Sequence, residues 1–246
     1  MTLFDFVCAV RFDRAIPVVV IGTFLIGNVA WLMRQKGLRD GFSRKLNHFL
    51  LSALSGVCLF GLPDESFVPT AVATSVLVLL IYAWSAKSSR EVVSRVIRSN
   101  VRDRDGERGN FFVFLPLVTG QIATYSALAL VSPLYAKIAF CAMGLGDGLA
   151  EPVGLRFGKR RYSIYDPVWR VRNTKSLEGS LAVFSVSLIA CLVALWVGEQ
   201  ARGWELIAVA LAFAALMTVV EAFSPRGMDN MLIVGTGAAF LHFALR

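Results

Sequence analysis

Residues Met143–Ser180 read MGLGDGLAEPVGLRFGKRRYSIYDPVWRVRNTKSLEGS. The stretch begins inside an apolar span, and an acid, Asp147, stands there between glycines, followed four residues later by Glu151. It leaves the apolar phase through a basic segment and re-enters it at Lys175-Ser176-Leu177-Glu178-Gly179. A carboxylate in a membrane span is costly and marks a functional site unless a neighbouring helix satisfies it. Whether this stretch lies in a membrane decides the fold, and the rest of the chain answers that question.

Of the 246 residues, 56% are hydrophobic and 17% charged, with a mean hydropathy of +0.64. Soluble domains carry about 25% charged residues. A soluble chain of this size would have too little polar residue to cover its surface. The predicted class is an all-α, polytopic integral membrane helix bundle, a single membrane domain over residues 1–246. The net charge of +8 does not call for a nucleic-acid partner, because excess Lys and Arg in a membrane protein records topology. Cys8, Cys58, Cys141 and Cys191 are dispersed in apolar stretches without metal-like spacing and read as small hydrophobes. The first long apolar run follows Arg14 and is long enough to stay as an anchor rather than be cleaved as a signal peptide.

A spanning helix needs about 20 apolar residues. Eight stretches qualify: Ala15–Met33, Leu46–Leu62, Phe67–Trp84, Phe111–Val131, Leu134–Val153, Leu177–Val197, Trp204–Phe223 and Met228–Leu245. The fifth is weakened by Gly144, Gly146, Asp147 and Gly148, and seven spans is the alternative count. With eight, the loops after odd-numbered spans hold 20 of the 25 basic residues. The positive-inside rule then puts those loops in the cytoplasm and both termini outside. Arg11 and Arg14, ahead of the first span, argue the other way. The membrane would be a bacterial inner membrane or that of an organelle. Within the Lys87–Asn110 loop, Val92, Val93, Val96 and Ile97 recur at helical spacing opposite Arg90, Arg95 and Arg98. That helix either lies against anionic headgroups or is a solvated connector.

On this topology three polar clusters, in loops 34–48, 143–180 and 221–230, face the cytoplasm. In the first, Arg44, Lys45 and His48 share a helix face by their three- and four-residue spacing. They suit phosphate binding, or they are a positive-inside anchor with a chance histidine. In the second, Asp147 and Glu151 share a face if the span stays helical, and paired carboxylates suit Mg²⁺ held together with substrate phosphates. Gly144, Gly146, Gly148 and Gly154 permit close approach of a backbone or ligand, and Lys159 and Lys175 add cations beyond the span. Gly154 to Lys159 is one residue short of a P-loop, with Arg160 where Ser or Thr belongs, so no Walker site is expected. In the third, Glu221 precedes a Pro225–Gly227 turn and Asp229-Asn230 follow it. Asp229 alone could be a helix N-cap.

Gly146-Asp147-Gly148-Leu149-Ala150-Glu151, Gly154, Gly158-Lys159 and Lys175-Ser176-Leu177-Glu178-Gly179-Ser180 are similar to the GD-x-x-AE…G…GK…KS-x-EG-S pattern of the polyprenol kinase family. That family includes dolichol, phytol and farnesol kinases and the CTP-dependent diacylglycerol kinase. Arg44-Lys45 with His48 resembles its early RK-x-x-H element, and Glu221 with Ser224-Pro225, Gly227 and Asp229-Asn230 its late E-x-x-S-P-x-G-x-DN element. The Tyr162–Val171 insert, with Asp166-Pro167 and Trp169, does not map onto the pattern.

The resemblance implies transfer of the γ-phosphoryl group of CTP, or of ATP, to the hydroxyl of a membrane lipid alcohol such as phytol, farnesol, a polyprenol or diacylglycerol. It implies Mg²⁺ on Asp147 and Glu221, and catalytic roles for Asp147, Glu151 and Lys175. It implies nucleotide or phosphate contacts for Arg44, Lys45, His48, Gly146, Lys159, Ser176, Glu178, Gly179, Asp229 and Asn230. Phosphoryl transfer needs positioning and charge neutralisation above all, which such clusters offer. One rival is a cytidylyltransferase making CDP-lipids, whose late GHGG and DR signature is absent here. Another is a secondary transporter, which would show inverted repeats.

Overall fold

The computed structural model describes residues 3–13 and 15–246; Arg14 lies outside them. In chain order the elements are α1 (Leu3–Cys8), α2 (Ala15–Gln35), α3 (Asp40–Leu59), α4 (Asp64–Lys87), α5 (Glu91–Arg98), a 3₁₀ turn (Asp103–Arg108) and α6 (Gly109–Leu130). There follow α7 (Pro133–Cys141), a π-helical turn (Ala142–Asp147), α8 (Gly148–Phe157), β1 (Arg161–Asp166), β2 (Val171–Ser176), α9 (Leu177–Val197), α10 (Gly203–Phe223) and α11 (Asp229–Ala244). Each predicted span is helical apart from a few terminal residues.

Among the described residues, six helices are long and apolar enough to cross a membrane: Ala15–Gln35, Glu65–Lys87, Asp103–Leu130, Pro133–Phe157, Leu177–Val197 and Gly203–Phe223. The other two predicted spans differ for visible reasons. The helix α3 opens on Asp40 and carries Arg44 and Lys45 in its second turn, and α11 has only 16 residues. The surface confirms the class. On α2, Val18, Ile21, Leu25, Val29 and Leu32 are exposed at helical spacing, and on α10 so are Trp204, Ile207, Leu211, Val219 and Phe223. Water would make such stripes costly, whereas lipid makes them neutral. The chain is a multi-pass, all-α membrane protein.

It divides inside α6 into two compact units, one up to Val113 and one from Phe114 to Arg246. In the first, α2 packs against α3, α4 and α5. On the apolar face of α5, Val93, Val96 and Ile97 are buried and Val92 is exposed. A Cβ on Gly27 of α2 would come within 2.9 Å of the Val96 Cα, so this glycine lets the two helices touch. Ser85 Oγ accepts the Ile97 N–H at 2.9 Å and donates to the Val93 carbonyl, which ties α5 to α4. In the second unit, α7, α9, α10 and α11 enclose a core of Ile138, Ala139, Cys191, Leu195, Phe213, Met217, Ile233 and Leu241. Small residues let these helices approach, as at Gly237, where a Cβ would lie 2.9 Å from Met217 Sδ.

The antiparallel β1–β2 hairpin is the part the sequence did not predict. Its register pairs Arg161 with Ser176, Tyr162 with Lys175 and Asp166 with Val171. Arg170 turns the chain with φ +54°. Along β1, Tyr162, Ile164 and Asp166 are covered while Arg161, Ser163 and Tyr165 are exposed, so one face of the ribbon lies on the helices.

Candidate active site

In the first unit, Arg44, Lys45 and His48 sit in α3, with Lys45 buried and the other two partly covered. The helix is fixed there by a polar seam. Ser43 donates to the Ser99 carbonyl at 3.0 Å, Asn47 to the Ser99 hydroxyl at 2.9 Å, and Asn100 to the Tyr82 hydroxyl at 3.2 Å. The register that buries Ser43 and Asn47 therefore sets where Arg44 and His48 emerge.

In the second unit, the span that carries Asp147 is not a plain α-helix. It widens to a π turn over Ala142–Asp147 before α8 begins at Gly148. Such turns recur at functional sites. Asp147 is 2% exposed, while Glu151, one turn on, is partly covered. Gly146 faces α9, where Val183 and Ser187 stand in ordinary contact distance of a Cβ placed on it.

The chain then passes a tight joint. A Cβ on Gly154 would lie 2.7 Å from Ser176 Oγ, one on Gly158 2.9 Å from Ser176 Cβ, and one on Gly179 2.6 Å from the Ala150 carbonyl. These glycines are thus required by the packing of α8 on the start of α9. Ser176 is the N-cap of α9 and accepts the Gly179 N–H at 3.1 Å. Glu178 Oε1 accepts the backbone N–H groups of Lys159 at 3.1 Å and Arg160 at 3.3 Å. Ser176, Glu178 and Gly179 thereby build the joint that anchors β2, and Lys159 lies exposed beside it.

Lys175, the residue before the joint, points the other way. Its ammonium donates to Glu221 Oε1 at 2.6 Å and also to the Glu221 carbonyl near the end of α10. Burial by itself would lower the Lys175 pKa. The charge and hydrogen bond of Glu221, reinforced by the charges of Asp147 and Asp229, outweigh it and raise the pKa above 10.5. The structure thus brings Asp147, Lys175, Glu221 and Asp229 into one electrostatic neighbourhood. An ammonium has three donors and Glu221 takes two, which leaves one for a ligand oxygen. Among the described residues, no three His, Cys, Asp or Glu side chains gather closely enough to hold a metal ion. One or two carboxylates combined with substrate phosphates is the usual Mg²⁺ arrangement, so this donor set fits that ion.

Asp229 opens α11, whose N-cap is Met228, so it is not the cap that its position in the sequence allowed. Asn230 is buried and donates to the Pro116 carbonyl at 3.1 Å, where a Cβ on Gly120 would lie 3.0 Å from its own Cβ. Asn230 thereby docks α11 on α6 and fixes Asp229 beside it.

Two residues in this region escaped the sequence. Asp166, 3% exposed, accepts from the backbone of Val168 at 3.0 Å, Trp169 at 3.1 Å and Arg226 at 2.8 Å, and from Asn173 Nδ2 at 3.3 Å. The Trp169 indole donates to the Arg226 carbonyl at 2.9 Å. Asp166-Pro167 between two β-branched or aromatic runs was the available hairpin signal.

No protein-family model matches the chain, and no solved structure does either. Two curated proteins match. A phytol kinase of Synechocystis sp. is 33% identical over 114 residues, 46% of this chain and 45% of that protein. A dolichol kinase of Saccharomyces cerevisiae is 30% identical over 206 residues, 82% of this chain and 37% of that protein. The second match necessarily includes the central Gly146–Ser180 stretch, wherever its ends lie. The chain covers less than half the length of either relative. Both relatives are kinases by name, in agreement with the resemblance that the motifs carry, and the chain is related to the polyprenol kinase family.

Proposed function

We propose that the protein is a membrane-embedded lipid-alcohol kinase. The observation that carries this reading is the largely covered Lys175 ammonium with Glu221, Asp147 and Asp229 around it, set where apolar helices end. Relatives that phosphorylate alcohols support it. The donor is CTP, with ATP as the alternative, and the acceptor is an isoprenoid alcohol or diacylglycerol.

In this reading the lipid tail lies along the apolar helices with its hydroxyl at their polar ends, on the cytoplasmic side. Asp147, desolvated at the end of the π turn, orients or deprotonates that hydroxyl, with Glu151 beside it. Lys175 offers its remaining donor to the phosphoryl group, and Lys159 contacts the outer phosphates. Glu221 fixes Lys175, while Asp229 and Asn230 complete the nucleotide contacts. The joint residues Gly146, Ser176, Glu178 and Gly179 shape this end of the site. By the resemblance, Arg44, Lys45 and His48 contact phosphate. Mg²⁺ held by Asp147 and Glu221 would neutralise charge on the phosphates.

A matrix of donors and acceptors on the purified protein tests the reading. CTP and ATP are each offered with phytol, farnesol, a polyprenol and diacylglycerol, and the products are weighed. Phosphoryl-lipid with nucleoside diphosphate is expected. CDP-lipid with pyrophosphate would make the protein a cytidylyltransferase, and lipid or ion flux without nucleotide consumption a transporter.

A further inference from the structure

We propose that Asp166 and Trp169 are positioning residues: the tip of the β1–β2 hairpin grips the α10–α11 turn, so that Glu221 and Asp229 meet Lys175 at a fixed spacing. The inference rests on the proposed kinase reading for its catalytic meaning, but its geometry stands apart from it.

The hairpin is held at both ends. At its base, the Leu177 N–H donates to the Arg160 carbonyl at 3.0 Å, and the Tyr162 hydroxyl bonds the Ser180 hydroxyl on α9 at 2.6 Å. At its tip, both backbone polar groups of Arg226 are taken: the N–H by Asp166 and the carbonyl by the Trp169 indole. Lys175 lies between base and tip, opposite Tyr162 on β2. Arg226 lies between Glu221 and Asp229 in the turn that Pro225 and Gly227 form, Gly227 having φ +82°. One short ribbon therefore carries the cation and also fixes the turn between the two helices that bear its acidic neighbours.

The chemistry of the grip is demanding. Asp166 is almost fully buried and receives donors on both oxygens. An Asn there must aim its own NH₂ at one set of those donors, so the substitution breaks the grip with almost no change in shape. Trp169→Phe is gentler, removing the indole N–H while keeping most of the ring. Misplacement of a reacting group by a fraction of an ångström lowers turnover more than affinity.

The test joins two readouts on the full-length protein in nanodiscs. Hydrogen exchange followed by mass spectrometry reads the amide of Arg226 in a peptide spanning the turn, with α9 peptides as the folding control. Asp166→Asn should speed exchange at Arg226 by about tenfold or more while the control stays protected. Unchanged exchange there overturns the grip, whatever the activity. Steady-state kinetics with the best donor and acceptor then read Trp169→Phe. A fall in kcat of about 3- to 10-fold is expected, with KM for nucleotide within about twofold. Loss confined to KM, or no loss, overturns the positioning role. Faster exchange in Asp166→Asn, in a protein that turns over no donor and acceptor, would uphold the grip and refute the kinase reading instead.

Discussion

The helix α10 has an ion pair at each end, and the two pairs differ in almost everything except their charges. At its C-terminal end, Lys175 and Glu221 meet at 2.6 Å with side chains 23% and 8% exposed. Just before its first residue, Arg202 and Glu199 meet at 3.2 Å with side chains 71% and 74% exposed. The second pair stands in water, where a cation and a carboxylate hardly need each other. The first has left water, so each partner depends on the other for its solvation. Lys175 also serves α10 itself, because it donates to a carbonyl in the last turn, where helical carbonyls lack partners. The difference separates an end of the protein organised around charge from an end that merely faces solvent.

The largest effects are expected from breaking the buried pair. Lys175→Ala removes the cation bonded to the buried Glu221 carboxylate, and breaking such a pair costs about 3–5 kcal/mol. We expect a markedly lower unfolding midpoint in detergent and loss of lipid phosphorylation. Pairing Lys175→Met with Glu221→Gln removes both charges, so it should recover most of the stability and none of the turnover. If the double variant stays as unstable as the single one, the pair is not what holds this end together. Asp147→Asn keeps volume and removes one of the charges acting on Lys175. It should fold normally and lose about 100-fold or more in turnover, read with labelled nucleotide and the best acceptor.

The pH dependence sharpens the same contrast. The Lys175 pKa is raised above its ordinary 10.5. The stabilisation it contributes is therefore complete below that value and is lost as pH rises through the folded-state pKa. The stability difference between the wild type and the Lys175→Met, Glu221→Gln variant should stay flat from neutral pH to about 9.5 and shrink above about 10.5. A difference that already falls between pH 7 and 9 would mean that Lys175 is not held as a cation by its acidic neighbours.

The ends of α10 were not equally legible. The spans could be read because about 20 apolar residues in a row have few other uses, and Leu177–Val197 is a helix over the stretch predicted. Asp147 could be read as a costly acid, and Glu221 and Asp229 as acids flanking the Pro225–Gly227 turn, but their convergence on Lys175 could not. It depends on a hairpin whose residues include exposed Tyr165 and Val171 and buried Asp166, the reverse of what hydropathy suggests. The π turn left no trace beyond its glycines. Gly154 was read as room for a backbone or a ligand, and what approaches it is Ser176, whose Oγ lies 2.7 Å from where a Cβ would stand. The α5 helix was amphipathic as expected, yet Val93, Val96 and Ile97 turn inward, with Gly27 on α2 leaving a place for Val96, while Val92 stays exposed.

The smallest effect belongs to the exposed pair, and its sign is the stricter test. Glu199 sits in the left-handed region with φ +52°, just past the end of α9. The Gln200 N–H reaches back to the Leu195 carbonyl at 3.0 Å and the Glu199 N–H to the Trp196 carbonyl at 3.3 Å, the hydrogen-bond pattern that usually places glycine at this position. The neighbouring Gly198 is not the left-handed residue, having φ −78°; its missing Cβ instead makes room for Leu134 Cδ2, 2.8 Å from where a Cβ would stand. Glu199→Gly therefore trades an exposed ion pair, worth at most about 1 kcal/mol, for relief of a strained φ of similar size. The unfolding midpoint should hold or rise slightly, and should not respond to salt as the wild type does. Glu221→Gln should lower it under the same conditions. If Glu199→Gly destabilises the protein as much as Glu221→Gln does, burial is not what distinguishes the two ends of α10.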